Sequence, residues 1–135
     1  MVRTEAIIGI NDVEKSSEWY QKLLSCKSAH GGPIFEMLQN DGGETVLLLH
    51  KWEAHGHPTL SDSSIPVGNG LILYFRVGDL QAVWGNAQAL AAKVEEAPNT
   101  NTNSGQEEFA LRDPNGYYLL ISTWFSPSVF NPSVF

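Results

Sequence analysis

Two stretches of this chain place apolar residues at helical spacing, and a run of branched or apolar residues and one aspartate precede each. In the first, the run 6–10 leads to Asp12. Val13, Ser16, Ser17, Tyr20, Leu23 and Leu24 then recur on one helical face. In the second, the run 71–77 leads to Asp79, and Leu80, Val83, Trp84, Ala87, Leu90 and Ala91 repeat the pattern. An aspartate there accepts from the free N–H groups of the first turn, so Asp12 and Asp79 read as N-caps, each contributing about 1 kcal/mol. The echo has a period. Ile10-Asn11-Asp12-Val13 matches Val77-Gly78-Asp79-Leu80, and Leu23 matches Leu90, all at an offset of 67 residues.

Three strand-like runs follow each helix: 26–30, 33–39 and 44–52 in the first half, then 93–97, 107–112 and 117–124 in the second. Gly31-Gly32 and Asp41-Gly42-Gly43 mark turns between the first three, and 99–105 is a polar loop. Asp113-Pro114-Asn115-Gly116 is a tight turn feeding the last strand. Proline presets φ, Asn and Gly accept positive φ, and Asp113 bonds back to the backbone. Each half therefore reads βαβββ, at 3–52 and 70–124, joined by a linker at 53–69 rich in Gly, Pro, Ser and His. The pattern predicts an α+β fold in which two tandem βαβββ modules form a concave mixed sheet. About 65 residues are too few to bury a core alone, so one domain is expected over 1–125.

Composition narrows the function classes. The chain has 135 residues, 42% of them hydrophobic, and a net charge of −7, which argues against nucleic-acid binding and slightly favours cationic ligands. Its lone cysteine, Cys26, excludes an intramolecular disulfide and reads as an inert packed thiol. Residues 1–5 carry no apolar secretion region and no window approaches 18 apolar residues, so a cytoplasmic protein without membrane partners is expected. The last ten residues repeat in tandem as Ser126-Pro127-Ser128-Val129-Phe130 and Asn131-Pro132-Ser133-Val134-Phe135, a tail at 126–135 in which proline disfavours regular structure.

Asp12-Val13-Glu14-Lys15-Ser16 with Trp19-Tyr20 and Leu23-Leu24, and Arg112-Asp113-Pro114-Asn115-Gly116-Tyr117, resemble the motifs of the vicinal oxygen chelate superfamily. That superfamily includes glyoxalase I, bleomycin-resistance proteins and extradiol dioxygenases. The resemblance implies the glyoxalase/bleomycin-resistance/dioxygenase fold and, in the metal enzymes, a divalent-metal site built from strand residues. Carried over one position at a time, those ligand places fall on Glu5, Leu48, Ile72 and Leu120. Three of the four are aliphatic and offer no lone pair, so no cofactor and no metal at those places is expected.

Period-2 alternation then sorts the strands by face. In phase with those four places lie Ile7, His50, Trp52, Tyr74, Arg76, Tyr118, Ser122 and Trp124. The opposite phase holds Ile8, Ile10, Leu47, Leu49, Leu73, Phe75, Leu119 and Ile121, suited to packing beneath helices. The candidate ligand-binding set is therefore Glu5, His50, Trp52, Tyr74, Arg76, Tyr118, Ser122 and Trp124, an aromatic surface with a few polar groups, as small-molecule pockets have. The bland alternative is that the aromatics fill a dimer interface. Arg76 is a candidate partner for Glu5. An unpaired Glu5 in an apolar pocket would be a general base through desolvation. His50 reads as a rim residue. His55-Gly56-His57, close to His50 and Glu53, reads as a loose metal-ligand cluster whose spacing fits no standard site. It lies on a flexible linker where ordering costs entropy, so at most adventitious metal binding is expected there, and Ser61, Ser63 and Ser64 read as solvated linker. The leading expectation is a metal-independent, homodimeric binding protein of bleomycin-resistance type that sequesters a small organic ligand, cationic or aromatic. The alternatives are a lyase or oxidoreductase of glyoxalase or dioxygenase type, with a rearranged metal set such as Glu5, His50 and a loop histidine, and a non-catalytic dimeric interaction domain.

Overall fold

The computed structural model describes residues 1–124, and the tandem repeat at 126–135 lies outside the described residues. Backbone contacts divide the chain into two compact units, Met1–Val67 and the part from Gly68 onward. The first contains β1 (Ile7–Ile10), α1 (Val13–Leu24), β2 (Lys27–His30), β3 (Phe35–Gln39) and β4 (Thr45–Lys51), then a 3₁₀ turn at Pro58–Leu60. The second contains β5 (Leu73–Val77), α2 (Leu80–Ala89), β6 (Lys93–Thr100), β7 (Glu107–Arg112) and β8 (Tyr118–Thr123). The sheets have the orders β1-β4-β3-β2 and β5-β8-β7-β6. In each, the first strand runs parallel to the last and the other pairs are antiparallel.

The two aspartates act alike. Asp12 and Asp79 sit in extended backbone, at φ −122° and −125°, and their carboxylates accept from Lys15 N and Ala82 N, each at 3.1 Å. The helix exits also match, since Ser25 and Ala91 turn the chain through the left-handed region at φ 53° and 51°. For a residue with a Cβ that conformation costs about 1–2 kcal/mol. Leu90, the partner of Leu23 in the repeat, is the C-cap of α2, whereas Leu23 lies inside α1.

At the β7–β8 connection the Asp113 side chain accepts from Asn115 N at 2.8 Å and Tyr117 N at 2.9 Å. Gly116 takes φ 98°, and Gly116 N donates to Asp113 O at 3.1 Å. The strands adjoining this turn agree with the sequence pattern to within a residue. β6 extends beyond its expected end at 97 to Thr100, because Asn99 and Thr100 pair with Glu108 and Glu107. Pro98 is tolerated within it because β6 is, among the described residues, an edge strand with one neighbour.

Each sheet buries one face under its helix. In the first unit Ile8, Ile10, Leu38, Leu47 and Leu49 are buried with Val13, Tyr20 and Leu23 of α1, which packs on β3 and β4. In the second, Leu73, Phe109, Leu111, Leu119 and Ile121 are buried with Leu80, Val83 and Ala87 of α2, which packs on β7 and β8. A fully buried side chain of this kind contributes about 1.5–3 kcal/mol.

Beneath α1 the first unit buries a charge. Glu36, on the helix-facing side of β3, is only 3% exposed. Its carboxylate accepts from Ser17 Oγ at 2.6 Å and Ser28 Oγ at 2.8 Å, while Ser17 accepts from Gln21 Nε2 at 2.9 Å. These bonds offset the desolvation of a buried charge. Ser16 and Ser17 interrupt the apolar stripe of α1, and Ser17 does so because a carboxylate lies beneath it. Cys26 is buried beside this cluster and its Sγ donates to Tyr20 O at 3.6 Å. Burial, reinforced by the Glu36 charge and partly opposed by a backbone hydrogen bond, pushes the thiol up to about 11.

Candidate functional site

The faces turned away from the helices carry the chemistry, and strand register shows how they correspond. On the first, Gly9 pairs with His50 and His50 with Phe35. One rung along, Ile7 pairs with Leu48 and Leu48 with Met37. On the second, Arg76 pairs with Ser122 and Ser122 with Glu108, and alongside, Tyr74 pairs with Leu120 and Leu120 with Ala110. The rung Gly9–His50–Phe35 is thus the counterpart of Arg76–Ser122–Glu108.

In the first unit this face is an array of rings. His50 is 3% exposed, and its ring stands edge-on to Phe35, His55 and His57, with centroid separations of 6.1, 5.0 and 5.1 Å. The His30 and Phe35 ring centres are 6.0 Å apart. Trp52 covers Gly9 closely: a Cβ there would meet Trp52 Cζ2 at 2.6 Å, so glycine is what lets the indole lie flat on β1. His50 is therefore an interior residue and not the rim residue its place at a strand end suggests. The loop from 53 to 60 is held, too. Glu53 N donates to Leu60 O at 2.6 Å and Leu60 N to His57 O at 3.0 Å, and the Leu60 side chain is buried. The flexible linker expected around His55 and His57 is in fact a closed loop, because these bonds anchor both of its ends.

The second unit carries a polar network. Arg76 donates to Gln106 Oε1 at 2.6 Å, Thr123 O at 3.1 Å and Ser122 Oγ at 3.4 Å, and its guanidinium lies 4.4 Å from the Tyr74 ring centre. Arg112 repeats the motif over Tyr118 at 5.1 Å while it bonds Glu95 Oε1 at 3.1 Å. Burial pushes the Tyr118 phenol up, with Glu96, Glu108 and Glu95 adding to the effect and Arg112 opposing it, so it is a neutral donor at ordinary pH. Glu108 is 8% exposed. Its Oε1 accepts from Asn101 Nδ2 at 2.9 Å, and among the described residues Glu108 Oε2 and Gln106 Nε2 are buried with no hydrogen-bond partner. Buried polar atoms rarely stay unsatisfied.

Other expected site residues lie elsewhere. Glu5 precedes β1, exposed, and pairs with Arg3 Nη2 at 3.0 Å, so the desolvation that a general-base role requires is missing. Arg76 has its partners on β8 and beside β7. Trp124 is 69% exposed, at the end of the described chain. Glu108 and Gln106 were not among the expected site residues, although Glu108 alternates in phase with Ala110 and Arg112 along one strand.

A model of the Glyoxalase/Bleomycin resistance protein/Dioxygenase superfamily matches residues 4–121. The chain belongs to that superfamily. Solved structures agree on the fold. A glyoxalase/bleomycin resistance protein/dioxygenase family enzyme from Burkholderia phytofirmans PsJN is similar at 22% identity and TM-score 0.72, with 88% of this chain and 95% of that one covered. A bleomycin resistance determinant encoded on the transposon Tn5 is similar at 18% identity and TM-score 0.65, with 91% and 98% covered. A lactoylglutathione lyase from Agrobacterium tumefaciens matches at 16% identity and TM-score 0.66, with 90% and 92% covered. The curated proteins gave no match. Of the four places that the resemblance gives to the superfamily's divalent metal, Glu5 alone carries a donor, and one exposed carboxylate does not hold such an ion; the other three are hydrocarbon. Leu48 is a buried hydrocarbon on β4, Ile72 is exposed ahead of β5, and Leu120 lies on β8. None has a donor atom.

Proposed function

We propose that this protein binds a small organic molecule bearing a cationic or amine group beside an aromatic ring, and holds it without making or breaking a bond. One observation carries the reading: Glu108 has a buried carboxylate oxygen with no partner among the described residues, on the sheet face that also presents Tyr74 and Tyr118. A carboxylate oxygen in that state accepts from an N–H donor more strongly than one in water, and a charged donor roughly doubles the gain. The aromatic faces add about 0.5–2 kcal/mol for a cation, according to its desolvation. Leu48, Ile72 and Leu120 support binding without metal chemistry at the superfamily's ligand places. The reading includes a cytoplasmic homodimer, for which exposed Ile7 and Ile72 supply apolar surface.

Quenching of tryptophan fluorescence tests this, with a panel of planar amines and their neutral isosteres titrated in the presence of a chelator. Saturable quenching by the amines, weakened about tenfold in Glu108→Gln, is the expected result. Turnover of any bound compound, or equal affinity for neutral isosteres, would overturn it. Sedimentation velocity checks the dimer.

A further inference from the structure

All four histidines of the chain lie in the first unit, and three of them converge. His50, His55 and His57 each offer a ring nitrogen such that all three atoms lie within 4.8 Å of one another, and His50 Nε2 is 3.1 Å from His55 Nδ1. An ion with bonds of about 2.0–2.1 Å to tetrahedral nitrogen donors holds them roughly 3.3 Å apart. One pair is already near that separation, and closing the rest takes up to about 1.5 Å of side-chain movement by the exposed rings.

His50 is prepared for this role by its other nitrogen. Nδ1 lies 2.9 Å from Lys51 O, and a carbonyl only accepts, so Nδ1 carries the proton. In the neutral ring the lone pair is therefore on Nε2, the atom that faces the other two histidines. A backbone carbonyl fixing the tautomer of a ligating imidazole is the usual outer support of such sites. The ring is also buried and wedged against Phe35, so it has little rotamer freedom to lose on capture.

The loop is shaped to bring the other two rings back over β4. Glu53, His55 and Gly56 take φ of 67°, 62° and 67°, curling the chain after Lys51. For Glu53 and His55 this conformation is unfavourable by about 1 kcal/mol or more. The 3₁₀ turn at Pro58–Leu60, closed by Leu60 N to His57 O at 3.0 Å and Ser61 Oγ to Pro58 O at 2.8 Å, holds His57 at its start. His55 and His57 are exposed and His50 is buried, so the cluster has a closed side and an open one.

From this geometry we infer that His50, His55 and His57 form a binding site for one divalent first-row transition ion of the kind that prefers imidazole, such as zinc, nickel or copper, with a coordination position open to solvent. Three neutral nitrogens suit these ions and discriminate against magnesium and calcium, which require oxygen donors. The site is separate from the superfamily's ligand places. It uses the residue two positions beyond Leu48 on β4 and two from the following loop, and it is independent of the proposed binding of an organic molecule at Glu108.

The test is titration of the chelator-stripped full chain with zinc, nickel or magnesium chloride against a chromophoric competitor. One zinc or nickel ion per chain at micromolar affinity or tighter, with no magnesium competition, is expected. His55→Ala and His57→Ala, both at exposed positions that leave the core intact, should each weaken zinc binding roughly 100-fold or more, since even outer-shell changes cost 10–100-fold. Cobalt-loaded protein should show visible d–d bands that vanish in the double variant, and the exchangeable imidazole N–H of His50 should shift on loading. Binding weaker than about 100 μM, or unaltered in the double variant, would overturn the inference. Repeating the amine titration on that variant separates the two proposals: retained amine binding with lost zinc binding supports both, and loss of amine binding alone counts against the Glu108 reading only.

Discussion

The two halves share one frame and differ at corresponding positions. Strand order, parallel and antiparallel pairing, aspartate caps and left-handed helix exits all occur in both halves. The rung that reads Gly9–His50–Phe35 in one half reads Arg76–Ser122–Glu108 in the other. Beneath the helices, Glu36 pairs with Leu49 and Leu49 with Ile8, so its counterpart is Phe109, which pairs with Ile121 and is fully buried. The polarity thus inverts on both faces. The first half places a carboxylate under its helix and rings on the open face. The second places an aromatic ring under its helix and a charged network on the open face. Backbone hydrogen bonding sets the frame without reference to side chains, so the faces are free to diverge.

The comparison can be tested where the halves differ most. Phe109→Ala should destabilise the protein by about 3–5 kcal/mol, read from denaturant midpoints, because it opens a cavity in an apolar core that also loses the edge-on contact between Trp84 and Phe109. Glu36→Ala should cost about 1–3 kcal/mol, since Ser17 and Ser28 lose their shared acceptor. If Glu36→Ala were neutral or stabilising, the buried carboxylate would be no structural counterpart of Phe109.

Smaller effects sharpen the contrast. Gly9→Ala should shift Trp52 emission and cost about 1 kcal/mol as the indole is displaced, whereas a small substitution at Gly78, where a Cβ meets nothing, should leave all the tryptophans unaltered. Cys26 should resist alkylation at pH 8 until the protein is unfolded. Its thiol ionises above about 9 in the unfolded chain and near 11 in the fold, so the stability that its proton contributes is complete below pH 9 and is lost as pH rises through 11. Cys26→Ser should flatten that alkaline limb of the stability curve.

Much of the frame was legible because it rests on local chemistry. The caps at Asp12 and Asp79, the turn at Asp113 and the period-2 alternation along β4, β5 and β8 act over a few residues and leave a direct trace in the sequence. What escaped depended on distant partners. Glu36 is explained only by Ser17 on α1 and Ser28 on β2. Glu5 lies ahead of Ile7, where β1 begins, so strand alternation does not govern which way it faces. The histidine cluster required the fold of residues 53–60, in which two non-glycine residues take left-handed backbone that residue type does not signal. Arg76 needed Gln106, thirty residues away in the chain.

Pro98 in β6 has a further consequence. It removes one N–H from an edge strand, and the pairing of that strand shifts register between Val94 and Glu96 and again between Glu96 and Asn99. With Lys93, Glu95 and Glu96 exposed along the same strand, the outer margin of this sheet is a poor template for another chain to add to. Amyloid-like lateral growth should therefore be slow there even in concentrated solution, and replacing Pro98 with a β-branched residue should speed it.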